Sequence, residues 1–327
     1  MSSIPAVVDN LSNSSYNINM KIYKKLTEIT NKYPRPAIAL GMFDGVHIGH
    51  ASIIRHAVEL ARSNNGTSMV FTFSNHPLSV LNPEHEPLAI GSKALRRKIV
   101  ESLGIDVMIE LAFTKEFSRI TPEDFLLLLE EKIAPEYVVT GQNFTFGKFG
   151  KGNGRMLIRE GVNYGFKAEI CPTITSDKKT VSSTRIRELI VQGDLQSVNE
   201  LLGRPFIYVS KVVHGDKRGR KLGFPTANLE IGERRAMLPN GAYAVNVNFN
   251  NKNYCGIANI GDNPTFNVDK RRIEVYIHDF NGNLYGQDIA ISFISKLRDE
   301  RKFNSVDELV SQLRQDLNKT LEIWRSL

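Results

Sequence analysis

The chain has 327 residues, about twice a typical domain, with 41% apolar and 24% charged residues, which makes two globular domains the first expectation and one unusually large domain the second, and excludes fibrous, collagen-like and disordered chains. Lys and Arg number 42 against 35 Asp and Glu, a net charge of +7 that suits phosphorylated ligands without by itself demanding a nucleic acid. Two isolated cysteines, Cys171 and Cys255, make neither a disulfide framework nor a metal-ligand spacing and point to a reducing cytoplasm, and no run approaches the roughly 18 apolar residues of a membrane span or the h-region of a secretion signal.

The first 20 residues carry no readable pattern. From 36 to 190, short apolar runs at 37–40, 69–73, 107–111, 137–140 and 168–170 alternate with amphipathic segments near 50–63, 92–103, 121–133 and 183–192. The third amphipathic segment opens with Thr121, Pro122, Glu123 and Asp124: a capping hydroxyl, a proline at the first helical position and acids in the first turn. This alternation predicts a doubly wound, Rossmann-like α/β domain whose parallel sheet binds ligands at the carboxyl ends of its strands. After the Leu202-Gly203-Arg204-Pro205 break the grammar changes. Short strands are predicted at 206–213, 222–231, 242–249, 254–260, 272–278 and 287–295, with turns at Pro239-Asn240-Gly241 and Asn281-Gly282, a small antiparallel β-barrel or sandwich. A terminal helix follows, with Ser305 and Glu308 spaced as a capping box and Leu309, Leu313, Leu317 and Trp324 on one face.

The richest chemistry in the first half is GMFDGVHIGH, Gly41 to His50, directly after the first strand and opening the first helix. Its glycines let the backbone turn and approach a ligand, the helix N-terminus offers N–H groups to a phosphate, and His47 and His50 share a face of the first turn. It is not a P-loop. The nearest run to one, Gly141 to Lys148, has one residue too many and lacks the Ser or Thr. In the second half, HGDKRGRKLGFPTAN from His214 to Asn228 combines Gly215, Gly219 and Gly223 with four basic residues, and Thr226 and Asn228 offer neutral oxygens to a magnesium ion carrying ATP phosphates. Further along, Glu274 alternates with Ile273, Val275 and Ile277, a pattern that by itself describes a surface acid on a strand.

His47-Ile-Gly-His50 resembles the signature of the nucleotidyltransferase superfamily that includes class I aminoacyl-tRNA synthetases. The longer run is similar to the bacterial bifunctional riboflavin kinase/FMN adenylyltransferase (FAD synthetase) family. The likeness continues in order at Phe71 to Pro77, Thr140 to Gly147, Val181 to Arg187, the His214 to Asn228 segment, Leu238 to Ala244, Gly256 to Phe266 and Arg272 to Phe280, spanning about 36 to 317.

The resemblance implies an FMN adenylyltransferase domain at 1–190 and a riboflavin kinase domain at 191–327, using riboflavin, FMN, FAD and ATP with Mg2+, and no nucleic-acid or membrane partner. It assigns His47 and His50 to adenylyl-transfer catalysis, and Gly41, Phe43, Asp44, Gly49, Asn143, Ser183, Thr184 and Arg187 to its ATP, with Asp44 as turn-former or nucleotide contact. In the kinase it assigns Gly215, Gly219, Gly223, Thr226 and Asn228 to ATP, the last two also to the metal, and Glu274 to general base catalysis. An aminoacyl-tRNA synthetase would need a K-M-S-K-S-like loop and an anticodon-binding domain, and neither is found. The alternative from another class is a flavin-responsive regulatory or RNA-binding protein built on such an enzyme.

Overall fold

In the computed structural model, which describes residues 20–29, 32–215, 219, 222–230, 232, 234–262 and 271–326, the chain divides into two compact units. One is Asn17–Leu88 with Arg96–Ser183; the other is Ala89–Leu95 with Thr184–Leu327.

The first unit is an all-parallel six-stranded sheet of β1 (Lys21–Tyr23), β2 (Ala37–Leu40), β3 (Ser68–Phe73), β4 (Val107–Leu111), β5 (Tyr137–Gly141) and β8 (Lys167–Cys171), in the order β1-β4-β3-β2-β5-β8. Two short hairpins, β6 (Thr145–Phe146) with β7 (Gly152–Asn153) and β9 (Thr175–Ser176) with β10 (Lys179–Thr180), stand outside it. Helices α1 (Ile48–Ser63), α2 (Leu78–Leu81), α3 (Lys93–Ser102), α4 (Pro122–Lys132) and α5 (Gly154–Gly161) lie between the strands in sequence, and α6 (Ser183–Gln192) follows. Central strands covered on both faces should read as near-continuous apolar runs. Residues Ala37 to Leu40 are all buried accordingly, and α1 packs on β2, β3 and β5.

From β2 the chain builds outward through β3 and β4, then returns to add β5 and β8 on the other side. The order therefore reverses between β2 and β5, and a crevice opens at the carboxyl ends of strands that diverge in this way. Thr140 near the end of β5 donates its hydroxyl to the Leu40 carbonyl at 3.2 Å, tying the two strands where the crevice begins.

The predicted strands and helices of this half are present, with ends shifted by one or two residues. The predicted cap is also there: Thr121 Oγ1 accepts from Asp124 N–H at 3.1 Å while the Asp124 carboxylate accepts from Thr121 N–H at 3.1 Å. Strand β1 and helix α5 were not anticipated. β1 is only three residues long, joins as an edge strand on β4, and follows a segment without periodicity.

In the second unit α7 (Leu195–Leu202) leads to six antiparallel strands, β11 (Phe206–Val213), β12 (Thr226–Leu229), β13 (Gly241–Phe249), β14 (Lys252–Asp262), β15 (Arg271–Ile277) and β16 (Asp288–Asp299). They close into a barrel in the order β11-β12-β15-β14-β13-β16, which removes open sheet edges. Tyr208, Tyr243, Phe206 and Phe293 fill it, fully buried. The predicted strand 222–231 shrinks to Thr226–Leu229, because Pro225 has no N–H for the ladder and Gly223 turns the chain at φ 80°.

Helix α8 (Val306–Arg325) closes the chain, and buried Asp316 accepts from Arg298 Nε on β16 at 2.9 Å. Its cap departs from the expected box. Ser305 Oγ accepts from Glu308 N–H at 3.1 Å, but the Glu308 carboxylate accepts from Asn304 N–H, one residue before the cap.

Candidate active sites

The first site grows out of the turn between β2 and α1. Phe43, Gly45 and Val46 take φ of 50°, 74° and 40°, a region costly for bulky and β-branched residues, so surrounding contacts must hold this loop in place. They are visible: the Thr72 hydroxyl donates to the Met42 carbonyl at 3.0 Å, Arg96 Nη1 donates to the same carbonyl at 3.2 Å, and the Ser183 hydroxyl donates to the Asp44 carbonyl at 3.0 Å.

His47 is 4% exposed and caps α1, its Nδ1 accepting from His50 N–H at 3.2 Å. The two imidazoles stack with centroids 3.6 Å apart and planes at 19°, and the Phe43 ring meets His50 edge-on at 5.3 Å. Gly49 makes room for this stack, since a Cβ there would lie 3.1 Å from the His47 ring. Two stacked imidazoles thus stand at the N-terminus of a 16-residue helix, an arrangement suited to holding phosphate charge.

A cavity of about 870 Å³ opens beside this turn. Gly41, Phe43, His47, Gly49, His50, Asn143 and Ser183 line it, whereas Asp44 does not. Thr184 and Arg187 follow Ser183 on α6, in the part of the chain assigned to the other unit. Much of the rest of the wall is aromatic: Phe73 lies 5.0 Å from both Phe113 and Phe117, and Phe125, Phe146 and Phe149 also line the cavity. The sequence reading missed this wall, and it also missed Arg96, Arg97 and Glu110.

Glu110, on β4 and 2% exposed, accepts from Arg96 Nη2 at 2.6 Å and from Arg97 Nε at 2.9 Å; Arg96 Nη2 also donates to the Phe73 carbonyl at 2.9 Å. Burial alone would raise the Glu110 carboxyl, but the guanidinium bonds outweigh it and hold the group below the usual carboxylate range. Replacing Glu110 with Gln leaves buried guanidinium charge uncompensated and should cost about 3 kcal/mol, roughly 6–12 °C in melting temperature. A carboxyl with a lowered folded pKa stabilises above its unfolded value and loses that contribution as pH falls through the folded one. Calorimetric scans of parent and Glu110→Gln should therefore converge below the ordinary carboxylate range, and a constant gap down to strong acid would contradict this assignment.

The second site lies on the outward face of the barrel. Ile273 and Val275 are fully buried inside, so Glu274 and Tyr276 alternate outward on β15. In register, Asn228 on β12 and Asn259 on β14 both stand directly opposite Glu274, and Thr226 stands opposite Tyr276. Directly opposed residues project from the same face, so Thr226, Asn228, Asn259 and Glu274 share one patch. Gly215 and Gly219 approach it closely. A Cβ on Gly215 would fall 2.2 Å from the Asn228 amide nitrogen, and one on Gly219 would lie 3.7 Å from Thr226 Oγ1. Gly223 turns the chain back toward β12, and the carbonyl of Gly219 accepts from both Leu222 and Phe224 N–H at 3.0 Å.

Asn228 is 9% exposed, and its Oδ1 is buried with no hydrogen-bond donor among the described residues. A buried neutral oxygen beside a threonine hydroxyl suits a hard cation such as Mg2+. The basic residues Lys217, Arg218, Arg220 and Lys221, and the matched run Asn263 to Phe266, lie outside the described residues.

A family model described as FAD synthetase matches residues 30–185, and one described as riboflavin kinase matches 202–324. The bifunctional riboflavin kinase/FMN adenylyltransferase of Bacillus subtilis (strain 168) is 35% identical over 305 residues, covering 91% of this chain and 96% of its own. That of Listeria monocytogenes serovar 1/2a is 36% identical over 293 residues (89% and 93%), and that of Escherichia coli (strain K12) 33% over 282 residues (85% and 90%).

A crystal structure described as a macrolide-efflux protein from Streptococcus pneumoniae superposes with a TM-score of 0.82 at 33% identity, covering 92% of this chain and 98% of that one. Efflux is not what the family models or these relatives name, and among the described residues no helix is long and apolar enough to cross a membrane.

Proposed function

The chain belongs to the bifunctional riboflavin kinase/FMN adenylyltransferase family, and on that premise we propose how its own residues divide the two reactions. In the barrel, riboflavin is phosphorylated by ATP. The ribityl hydroxyl oxygen attacks the γ-phosphorus, the bond from that phosphorus to the β–γ bridging oxygen breaks, ADP leaves, and the hydroxyl proton passes to the Glu274 carboxylate. A hydroxyl is a poor nucleophile, and a positioned base contributes roughly 10²–10⁴ in rate. Gly215, Gly219 and Gly223 let the backbone lie close over the ATP phosphates, and we assign Thr226 Oγ1 and Asn228 Oδ1 to magnesium. Bound there, the metal would offset phosphate charge. The observation carrying this reading is the register that sets Asn228 and Glu274 side by side, with Gly215 close against Asn228.

In the parallel-sheet unit, an FMN phosphate oxygen attacks the α-phosphorus of a second ATP, the α–β bridging bond breaks and pyrophosphate leaves, giving FAD. That nucleophile is already ionised at neutral pH, so no base is needed. The site must hold the two phosphates in line and stabilise charge on the α-phosphate and the leaving group. We assign His47, His50 and the α1 N-terminus to that stabilisation, Gly41, Phe43, Gly49, Asn143 and Ser183 to the nucleotide, and Thr184 and Arg187 to the same ATP. Asp44 serves through its carbonyl in holding the turn. Cys171 and Cys255 are free and buried, which supports a cytoplasmic enzyme.

The test is product chromatography after incubation with riboflavin, Mg2+ and labelled ATP. Label from γ-labelled ATP should enter FMN, and label from α-labelled ATP should enter only FAD. Neither product in the presence of magnesium would refute the reading.

The domain division at 190/191 makes a further prediction. A fragment of about 186–327 should form FMN and no FAD. It should also melt below the full chain, because it lacks the segment where Ala89 exchanges backbone hydrogen bonds with Arg234 and Ala236 at 2.9 Å. A folded but inactive fragment would refute independent domains.

A further inference from the structure

The tip of the β6–β7 hairpin contains a residue that folding alone does not explain. Phe149 is 84% exposed and sits at φ 60°, ψ 19°, the left-handed region. A Cβ in that region costs roughly 1–2 kcal/mol, and an exposed phenyl ring forfeits its burial as well. Glycine or asparagine would be easier at such a position.

The backbone around it is held firmly. Lys148 N–H donates to the Ile120 carbonyl at 2.7 Å, Gly150 N–H donates to the Gly147 carbonyl at 3.0 Å, and at Gly147 a Cβ would collide with Pro122 at 2.6 Å. Phe149 therefore has a fixed attachment point, and it lines the same cavity as His47 and His50. The Lys148 ammonium stands 5.4 Å from the ring centroid, over one face.

An occupant of this cavity that sets its phosphate against His47 and His50 also meets Phe73, Phe113, Phe117 and Phe149 on the wall, and a planar apolar group suits them. FMN has that shape: a phosphate at one end of the ribityl chain and a fused three-ring isoalloxazine at the other. We propose that Phe149 is a flavin-stacking residue of the adenylyl-transfer site, its ring closing over the isoalloxazine of FMN at the cavity rim. This rests on the assignment of the first site to FMN adenylylation.

The test uses the full chain, with steady-state FAD formation from supplied FMN and ATP. Phe149→Gly removes the ring and relieves the backbone, so it should raise KM for FMN about tenfold, comparable to losing one aromatic stacking partner, while the melting temperature holds or rises. KM for ATP and riboflavin phosphorylation should stay within twofold, and Phe149→Trp should restore the KM for FMN. A purely structural residue would not produce weaker FMN use together with undiminished stability.

An unchanged KM for FMN in Phe149→Gly, or a rise confined to ATP, overturns the role of Phe149 and leaves the site assignment standing. A parent chain that makes no FAD from FMN and ATP overturns the site assignment, and this proposal with it.

Discussion

His50→Ala should stop the chain at FMN: riboflavin is still phosphorylated, and FAD formation falls by about 10²–10³. Removing one preorganised donor aimed at developing phosphate charge typically costs that much. His50 stands at the third helical position of α1, so its loss leaves the His47 cap in place. His47 is harder to probe, because alanine removes both a ring and the acceptor that caps His50 N–H. Asparagine separates the two roles. It is among the best capping residues, so His47→Asn should keep the melting temperature within a degree or two while still reducing FAD formation at least tenfold. The measurement is chromatographic quantification of both flavins over time beside a thermal melt. Equal loss of both products in His50→Ala would point to misfolding and withdraw the imidazole from catalysis.

The features legible in the sequence were those encoded within short stretches. The strand-turn-helix of Gly41 to His50 carries its glycines, its cap and both histidines in ten consecutive residues, and the structure stacks those rings as the spacing allowed. The cap at Thr121 was equally local. The aromatic wall was not legible, because Phe73, Phe113, Phe117, Phe125, Phe146 and Phe149 come from four stretches of chain whose meeting depends on the strand order. Taken one at a time they read as ordinary core residues.

Glu110 was hidden in a different way. It sits in an otherwise apolar strand, its partners lie 13 and 14 residues earlier, and consecutive arginines on a helix look like a solvated face until the fold brings them over β4. In the barrel, periodicity set Glu274 outward correctly but could not say what stood beside it. Only the strand pairing, β12 against β15 and β15 against β14, puts two asparagines level with the carboxylate.

That neighbourhood makes Glu274→Gln the most discriminating substitution in the barrel. Glutamine keeps the length and hydrogen-bonding capacity of the side chain and removes the proton acceptor, so riboflavin phosphorylation should fall by about 10²–10⁴ while flavin and magnesium-ATP binding persist. FAD formation from supplied FMN should be unaffected, since that nucleophile needs no base. Asn228→Ala should behave differently. It removes the buried oxygen assigned to the metal, so magnesium-ATP binding weakens along with turnover, and raising magnesium should recover part of the loss. Thr226→Ala should follow the same pattern. Calorimetric titration with magnesium-ATP beside kinase kinetics separates the two classes: lower kcat with retained affinity for a lost base, lower affinity for a lost metal ligand. Near-parental kinase turnover in Glu274→Gln would return Glu274 to an outward-facing strand acid, and the proton acceptor would then have to be sought elsewhere on the barrel.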